Sequence, residues 1–261
     1  MRPRAHSGRA IAGKRNGNPY NHAQDPARPC CRYWRVRLHR GHCIAQLLNE
    51  GWRVRTTVRN LGRAEEVRAT IGNIAEKAGA IEFAAADLNL DAGWTNAVAG
   101  ADYVLHVASP VPTVDPKSDD ELVRPARDGT LRVLKASRDA GVKRVVMTSS
   151  ISAIIGGRGV QKKSFTEADW TDETNRSDTS PYDRAKTIAE RVAWAWHKDE
   201  GGALELVTVN PSLVLGPVLG SDFSASLEAV RKLLDGSIPG CRTLAFRWST
   251  CGTSRRCNCW R

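Results

Sequence analysis

The chain has 261 residues, of which 41% are hydrophobic, and it carries 39 Lys and Arg against 28 Asp and Glu. This apolar content argues against full-length disorder and suffices for one large α/β domain or two small ones. No uninterrupted apolar run approaches the roughly 18 residues of a membrane span, so we expect no transmembrane helix.

The basic residues are concentrated at the two ends of the chain. The net charge is +11, yet residues 1–40 alone hold ten Lys or Arg and one acid, and residues 241–261 hold five Arg and no acid. Residues 41–240 are therefore slightly acidic, and six of the seven cysteines also lie in the ends. We predict a non-native, disordered basic segment over 1–40, a folded domain over 41–240 and a non-native basic tail over 241–261.

Three interpretations of the basic ends remain open. Basic tails are typical of nucleic-acid binding, but these ends contain no RNP, zinc-finger or helix-turn-helix pattern. An Arg-rich, acid-poor N-terminus is typical of an organelle transit peptide, but Pro3, Pro19 and Pro26 interrupt an amphipathic helix. We favour the third interpretation, in which both ends are translated out of frame from a GC-rich gene, since such codons then yield Arg, Pro, Cys, Trp and Gly.

Strand-like and helix-like segments alternate through residues 41–240. The apolar, strand-like runs are Trp52–Val58, Ile81–Ala86, Tyr103–Val107, Arg144–Met147 and Leu204–Val209. The amphipathic segments between them are Cys43–Glu50, Arg63–Ala78, Ala92–Ala99, Asp119–Ala140 and Tyr182–Glu200. Because each strand is too apolar to face water, the pattern predicts a parallel sheet covered on both faces, which is a doubly wound, Rossmann-like α/β fold.

The strand and glycine loop that open such a fold are missing or degraded in this sequence. Residues 33–40 read Tyr-Trp-Arg-Val-Arg-Leu-His-Arg, where a phosphate-binding loop needs glycines. Shifted by one base, this stretch can spell Thr-Gly-Gly-Ser-Gly-Tyr-Ile-Gly, and residues 247–255, shifted the other way, can spell Val-Val-Asp-Val-Arg-Asp-Val-Ala.

We therefore predict a one-base insertion or deletion in the gene near codon 40 and another near codon 241. Sequencing the coding DNA across codons 28–42 and 238–261 tests this hypothesis. Coding DNA that does not spell both peptides in the neighbouring frames would contradict it.

A tyrosine and a lysine lie one helical turn apart at Tyr182 and Lys186. An ammonium held close to a phenol favours the phenolate, so we expect Lys186 to lower the pKa of Tyr182 and make it an acid or base for carbonyl chemistry. Ser150 follows the strand Arg144–Met147 at the sheet edge where such folds bind ligands, and it is our candidate for holding the substrate oxygen. The alternatives are a Tyr/Lys pair on a solvated surface and serines that only cap a loop.

The order of motifs resembles the extended short-chain dehydrogenase/reductases of the epimerase/dehydratase superfamily, in the branch of dihydroflavonol and cinnamoyl-CoA reductases. The matching motifs are Thr57-Val58-Arg59, Asp87-Leu88, Leu105-His106-Val107-Ala108-Ser109-Pro110, Val146-Met147-Thr148-Ser149-Ser150, Tyr182-Asp183-Arg184-Ala185-Lys186 and Val209-Asn210-Pro211-Ser212-Leu213-Val214-Leu215-Gly216-Pro217. The resemblance covers about residues 41–240 and implies that the C-terminal substrate lobe is truncated.

By this resemblance, Ser150, Tyr182 and Lys186 match the catalytic set of the family. The resemblance also implies cofactor-binding positions, with adenine near Asp87 and Leu88, the length of the cofactor along Val107, Ala108 and Ser109, and the nicotinamide side near Pro211, Val214 and Ser226.

The end of the second strand predicts the choice of cofactor. An acid at that position accepts a hydrogen bond from the ribose 2′-OH of NAD and repels a 2′-phosphate. Here the position is Arg59, whose guanidinium pairs well with phosphate, so we predict NADP(H). The alternative is an arginine that is merely solvated at the end of its strand.

These observations predict an NADPH-dependent oxidoreductase that reduces a ketone or aldehyde on a small molecule, impaired in this chain because the glycine loop is lost. Two alternatives stay open: a sugar-nucleotide epimerase or dehydratase on the same scaffold, and a catalytically dead fragment. We expect His106 to be a packed core residue, at most one of Trp194 and Trp196 to face the core, and no metal site. Binding to nucleic acid or membrane is not expected, and without a secretory signal we expect a cytoplasmic protein without disulfides.

Overall fold

The computed structural model of the chain describes residues 30–33, 37–107, 118–159, 164–219, 225–237 and 248–250. Its strands are β1 Cys30–Tyr33, β2 Arg53–Val58, β3 Glu82–Ala85, β4 Tyr103–His106, β5 Arg144–Thr148, β6 Glu205–Val209, β7 Leu213–Leu215 and β8 Trp248–Thr250. Its helices are α1 Arg37–Asn49, α2 Ala64–Gly72, α3 Trp94–Val98, α4 Asp120–Asp139, α5 Pro181–Glu200 and α6 Ala225–Leu234.

Six strands form one parallel sheet in the order β3-β2-β1-β4-β5-β6. The chain moves outward from β1 in one direction as far as β3, returns to β4 on the other side of β1, and continues to β6. This order confirms the predicted doubly wound α/β fold, and it places the topological switch point between β1 and β4, at the carboxyl edge where such sheets bind ligands.

The structure differs from the prediction at the first strand. Residues Cys30–Tyr33 form a four-residue strand in the central position, paired in parallel with β2 on one side and β4 on the other. Helix α1 begins at Arg37, six residues before the predicted Cys43. Both elements begin within residues 1–40. An empty central position would leave the backbone groups of β2 and β4 unpaired, and the extended segment Cys30–Tyr33 satisfies them.

The predicted C-terminal boundary at residue 240 differs in a similar way. Strand β8, Trp248–Thr250, pairs in parallel with β7, Leu213–Leu215, to form a separate two-stranded sheet. Part of the segment predicted as a non-native tail is therefore paired to the domain through backbone hydrogen bonds. The other residues of the two ends lie outside the described residues.

Two apolar clusters cover the two faces of the large sheet. Alternate residues of β4 enter different clusters: Val104 packs with Leu134 of α4, whereas Leu105 packs with Ile44 of α1. This alternation follows from the two-residue period of a strand, and each fully buried Leu or Ile contributes about 1.5–3 kcal/mol. Both faces of the sheet are covered, as predicted for strands this apolar.

Helix α3 is shorter than predicted because a glycine precedes it. Gly93 has φ of 89°, in the left-handed region, and a Cβ there would approach the Ala85 carbonyl oxygen to 2.3 Å. The helix therefore begins at Trp94 rather than at Ala92, and the Trp94 indole Nε1 donates to the Leu90 carbonyl at 2.8 Å.

Helix α5 begins with strong local signals. The Ser180 hydroxyl accepts from the Asp183 backbone N–H while the Asp183 carboxylate accepts from the Ser180 backbone N–H, and Pro181 occupies the first turn. Trp196 is buried against the sheet and Trp194 is only partly buried, as expected for two residues that lie two positions apart. The start of α5 places Tyr182, Lys186 and Glu190 on one face of the helix.

Candidate active site

The candidate residues gather at the carboxyl edge of the large sheet. Arg59 follows β2, Asp87 lies two residues after β3, and Val107 follows β4. Ser150 comes two residues after the end of β5, and Asn210 directly follows β6. Because all six strands are parallel, these residues lie along one edge of the sheet.

The structure brings the three predicted catalytic residues together. The Ser150 hydroxyl lies close enough to the Tyr182 phenol to act on its pKa. The Lys186 Nζ lies 5.9 Å from the centre of the Tyr182 ring and donates to the Thr148 carbonyl oxygen at 3.2 Å. Ser150 and Lys186 are buried and Tyr182 is half-buried. A serine, a phenol and an ammonium therefore meet at the end of β5.

The predicted lowering of the Tyr182 pKa is wrong in this structure. The pKa of Tyr182 is raised rather than lowered, because burial of the phenol disfavours the phenolate. The hydrogen bond from Ser150 opposes this rise, and the charge of Asp183 adds to it. The spacing of Tyr182 and Lys186 correctly predicted a shared helix face, but burial determines the direction of the shift.

Burial also controls Lys186, whose pKa falls from 10.5 to about 8. The negative charge of Glu190 acts in the opposite direction and keeps the ammonium more stable than burial alone would allow. Lys186 is therefore largely protonated at pH 7, and it carries its positive charge at the protein interior beside Tyr182.

The loop that carries Ser150 is fixed to the neighbouring segment after β6. The Ser149 N–H donates to the Val209 carbonyl at 2.8 Å, and the Ile151 N–H donates to the Pro211 carbonyl at 3.1 Å. Between these two bonds, the Asn210 side-chain amide donates to the Ser150 carbonyl at 3.0 Å. Pro211, predicted on the nicotinamide side, thus lies against the serine loop.

The residues predicted to lie on the adenine side differ from one another in burial and in their contacts. Arg59 is exposed just beyond β2, and the Asn60 side chain next to it accepts from the Gly62 N–H at 2.9 Å. The Asp87 carboxylate accepts from the Asn89 backbone N–H at 2.9 Å, which fixes the turn after β3. Leu88 points partly into the core, where it is packed against α4.

The remaining predicted cofactor residues divide into two groups. The Val107 side chain is buried in the core directly after β4. Val214 lies in β7 and Ser226 in α6, and both are half-buried. Ala108 and Ser109 lie outside the described residues.

The nicotinamide end of the site fits a dinucleotide. The buried Ser149 hydroxyl has no hydrogen-bond partner among the described residues, and Lys186 makes one hydrogen bond there although an ammonium has three donors. The pyrophosphate end fits less well, because residues 33–40 lack a phosphate-loop glycine pattern. A glycine does occur in the second turn of α1, at Gly41, where a Cβ would meet the Leu219 side chain at 2.6 Å, so a larger residue there would require a shift of Leu219.

Sequence reasoning missed two residues of the site. Glu190 is fully buried, and its carboxylate accepts from the Asn210 side-chain amide at 2.8 Å. Glu190 follows Lys186 by four residues, just as Lys186 follows Tyr182, and this repeated spacing was a sequence signal for Glu190. Asn210 gave no signal beyond its place in the motif after β6, because its role depends on contacts between elements.

The environment of His106 agrees with the sequence analysis. His106 is buried in β4, its Nε2 lies 3.5 Å from the Thr130 hydroxyl, and burial lowers its pKa to about 3, so it is neutral. No cluster of His, Cys, Asp and Glu able to hold a metal ion occurs within the described part of the chain. Nor does that part contain a helix long and apolar enough for a bilayer span.

Comparisons with known proteins find similarity to several reductases. The chain is 32% identical over 203 residues to an anthocyanidin reductase of Vitis vinifera, a match over 74% of this chain and 58% of that protein. It is 37% identical over 196 residues to cinnamoyl-CoA reductase 1 of Petunia hybrida, covering 73% and 56%. The fold matches that of yeast methylglyoxal/isovaleraldehyde reductase, solved with NADPH, with a TM-score of 0.71, 23% identity and coverage of 85% and 70%.

The chain spans somewhat more than half the length of the curated relatives that it matches. The model of the NAD dependent epimerase/dehydratase family matches residues 41–256. This match begins at the predicted boundary of the folded domain and continues beyond its predicted end at residue 240. The chain belongs to the NAD dependent epimerase/dehydratase family.

Proposed function

We propose that this site carries out the NADPH-dependent reduction of a ketone or aldehyde to an alcohol on a small molecule. The observation that carries the proposal is the meeting of Ser150, Tyr182 and Lys186 at the carboxyl edge of the sheet, where the Lys186 Nζ lies 5.9 Å from the centre of the Tyr182 ring and Ser150 acts on the Tyr182 phenol. The relatives described above are reductases by name, which favours reduction over epimerisation.

Each of the three residues has a distinct task in the proposed reaction. NADPH, when bound, supplies the hydride that reaches the carbonyl carbon. Tyr182 is protonated at neutral pH because its pKa is raised, so it acts as the acid that delivers a proton to the carbonyl oxygen. The Ser150 hydroxyl holds that oxygen, and the Lys186 ammonium stabilises the phenolate that remains.

The residues that would hold the cofactor follow from the same geometry. Lys186 has donors left for ribose hydroxyls, and Arg59 and Asp87 lie at the strand ends on the adenine side. We propose that this chain binds NADPH weakly, because a phosphate loop supplies its backbone N–H donors through glycines that residues 33–40 lack. A dissociation constant in the low micromolar range for the chain as it stands would contradict this part of the proposal.

A turnover screen tests the proposed reaction. The full chain, and a version with residues 33–40 replaced by Thr-Gly-Gly-Ser-Gly-Tyr-Ile-Gly, are incubated with NADPH and a series of aromatic aldehydes, and separately with UDP-sugars. We expect NADPH oxidation with aldehydes, strongest in the glycine-restored version. Conversion of UDP-sugars without net NADPH oxidation would instead support the epimerase alternative.

We predict that Arg59→Asp reverses the cofactor preference of the glycine-restored chain. The substitution removes the guanidinium that would pair with the 2′-phosphate and adds a repelling carboxylate, so the NADPH/NADH ratio of kcat/KM should fall by about 10- to 100-fold or more. Steady-state kinetics with both cofactors measure this ratio.

Arg53→Asp is the matched control, because it makes the same change at the opposite end of β2, where Arg53 is exposed. The control should leave the ratio unchanged. If Arg59→Asp also leaves the ratio unchanged, Arg59 is a solvated strand-end residue and has no part in cofactor choice.

A further inference from the structure

A buried carboxylate lies directly behind the proposed catalytic residues. Glu190 is located one helical turn after Lys186 on α5, and none of its surface is exposed. Its carboxylate accepts from the Asn210 amide at 2.8 Å and lies 3.4 Å from the Trp194 indole nitrogen. Burial of a carboxylate destabilises the fold unless the carboxylate is paired. The burial of Glu190 therefore needs an explanation beyond packing.

Asn210 links Glu190 to the serine loop. Its side-chain nitrogen donates both to the Glu190 carboxylate and to the Ser150 carbonyl, the latter at 3.0 Å. An amide group has two N–H donors, and both are used here. The contacts thus run from α5 through the segment after β6 to the backbone of Ser150, which lies close to Tyr182.

Glu190 also acts on Lys186 by charge. Its negative charge favours the ammonium and opposes the effect of burial. The other groups facing Lys186 are the Tyr182 ring on α5, the Thr148 carbonyl on β5 and His106 on β4, which is neutral because its pKa is lowered to about 3. Within the described residues, Glu190 is thus the anion that acts on Lys186.

We propose that Glu190 is a positioning residue that holds Ser150 in place through Asn210 and balances the charge of Lys186. This inference rests on the proposed function, which gives Ser150 and Lys186 their roles. Glu190 itself does not touch the reacting atoms. It acts on the serine through a hydrogen-bonded amide and on the lysine through its charge.

Titration of Lys186 by NMR tests the charge effect without any enzymatic turnover. The 13Cε signal of Lys186 in the full chain is identified by its absence in Lys186→Met and followed against pH. We expect a midpoint near the pKa of about 8 in the wild type and a lower midpoint in Glu190→Gln, which removes the charge but keeps the volume. Glu200→Gln, at the exposed end of the same helix, should leave the midpoint unchanged.

An unchanged Lys186 midpoint in Glu190→Gln would overturn the charge effect. If that variant does not fold, the wild type carries the test: the Glu190 carboxyl carbon should shift at the same pH as Lys186, and a flat signal would overturn the proposal. A shifted midpoint in a protein that reduces no carbonyl compound would instead support Glu190 and count against the proposed function.

Asn210→Ala tests the contact with the serine loop. In the glycine-restored chain we expect kcat to fall by up to about 100-fold with little change in KM, because a misplacement of about 1 Å in a catalytic group has an effect of this size. The Lys186 midpoint should stay close to that of the wild type, because Glu190 keeps its charge. An unchanged kcat would show that Asn210 does not position Ser150.

Discussion

Tyr182→Phe is expected to lower kcat for carbonyl reduction by about 10²- to 10⁴-fold, the range that a positioned general acid contributes. The substitution removes only the phenolic hydroxyl, which lies close to Ser150 and would deliver the proton to the substrate oxygen. The ring itself remains, along with its contact with Lys186. Single-turnover measurements at saturating NADPH, with the glycine-restored chain, measure the effect on the chemical step.

Tyr103→Phe provides the matched control. Tyr103 lies at the opposite end of β4 from the site, and its ring contacts Trp52 edge-on with centroids 5.9 Å apart. Loss of this hydroxyl should leave kcat unchanged. If Tyr182→Phe retains the wild-type kcat, the proton comes from another donor and the proposed role of Tyr182 is wrong.

Lys186→Met is expected to abolish most of the activity while raising the free energy of unfolding at pH 7. The buried ammonium has a pKa of about 8 instead of 10.5, and at about 1.4 kcal/mol per unit this shift corresponds to a destabilisation of about 3 kcal/mol. A methionine of similar length carries no charge and avoids this cost, which already includes the opposing attraction between Lys186 and Glu190. Urea denaturation of both proteins at pH 7 measures the difference.

The gain in stability should depend on pH. Below pH 8, Lys186 is charged in both the folded and the unfolded wild type, so the full cost of burying the charge is present. Between pH 8 and 10.5 the unfolded chain holds this proton more strongly than the folded one, so the stability of the wild type rises with pH and the advantage of Lys186→Met fades.

Lys198→Met is the control for this experiment, because Lys198 is exposed near the end of the same helix. It should change the free energy of unfolding little at any pH. If Lys186→Met is less stable than the wild type at pH 7, the buried ammonium stabilises the fold and the prediction is wrong.

The sequence predicted the parts of the fold that depend on local pattern. Apolar runs located the strands β2 to β6, and the capping residues before Pro181 fix the start of α5 close to the predicted Tyr182. The meeting of Ser150, Tyr182 and Lys186 was also predictable. Parallel strands end at one edge of the sheet, and residues four apart share one face of a helix.

Other features depend on tertiary contacts that a sequence does not display. The spacing of Tyr182 and Lys186 contains no information on how deeply the phenol is buried, and burial reversed the expected direction of its pKa. The link from Glu190 to Ser150 joins α5 to the segment after β6 through Asn210. The pairing of Cys30–Tyr33 depends on the vacancy between two strands that occur later in the chain.

The central strand β1 shows that pairing within the sheet and recognition of phosphate depend on different features of the chain. Pairing in a parallel sheet uses only main-chain atoms, so a short extended segment of unrelated composition is able to complete the architecture. Phosphate recognition instead requires a particular backbone path, which glycines make possible. If NADPH binds weakly, as proposed above, a chain of this family keeps its sheet while it loses affinity for the coenzyme, so an intact fold is not by itself a measure of competence.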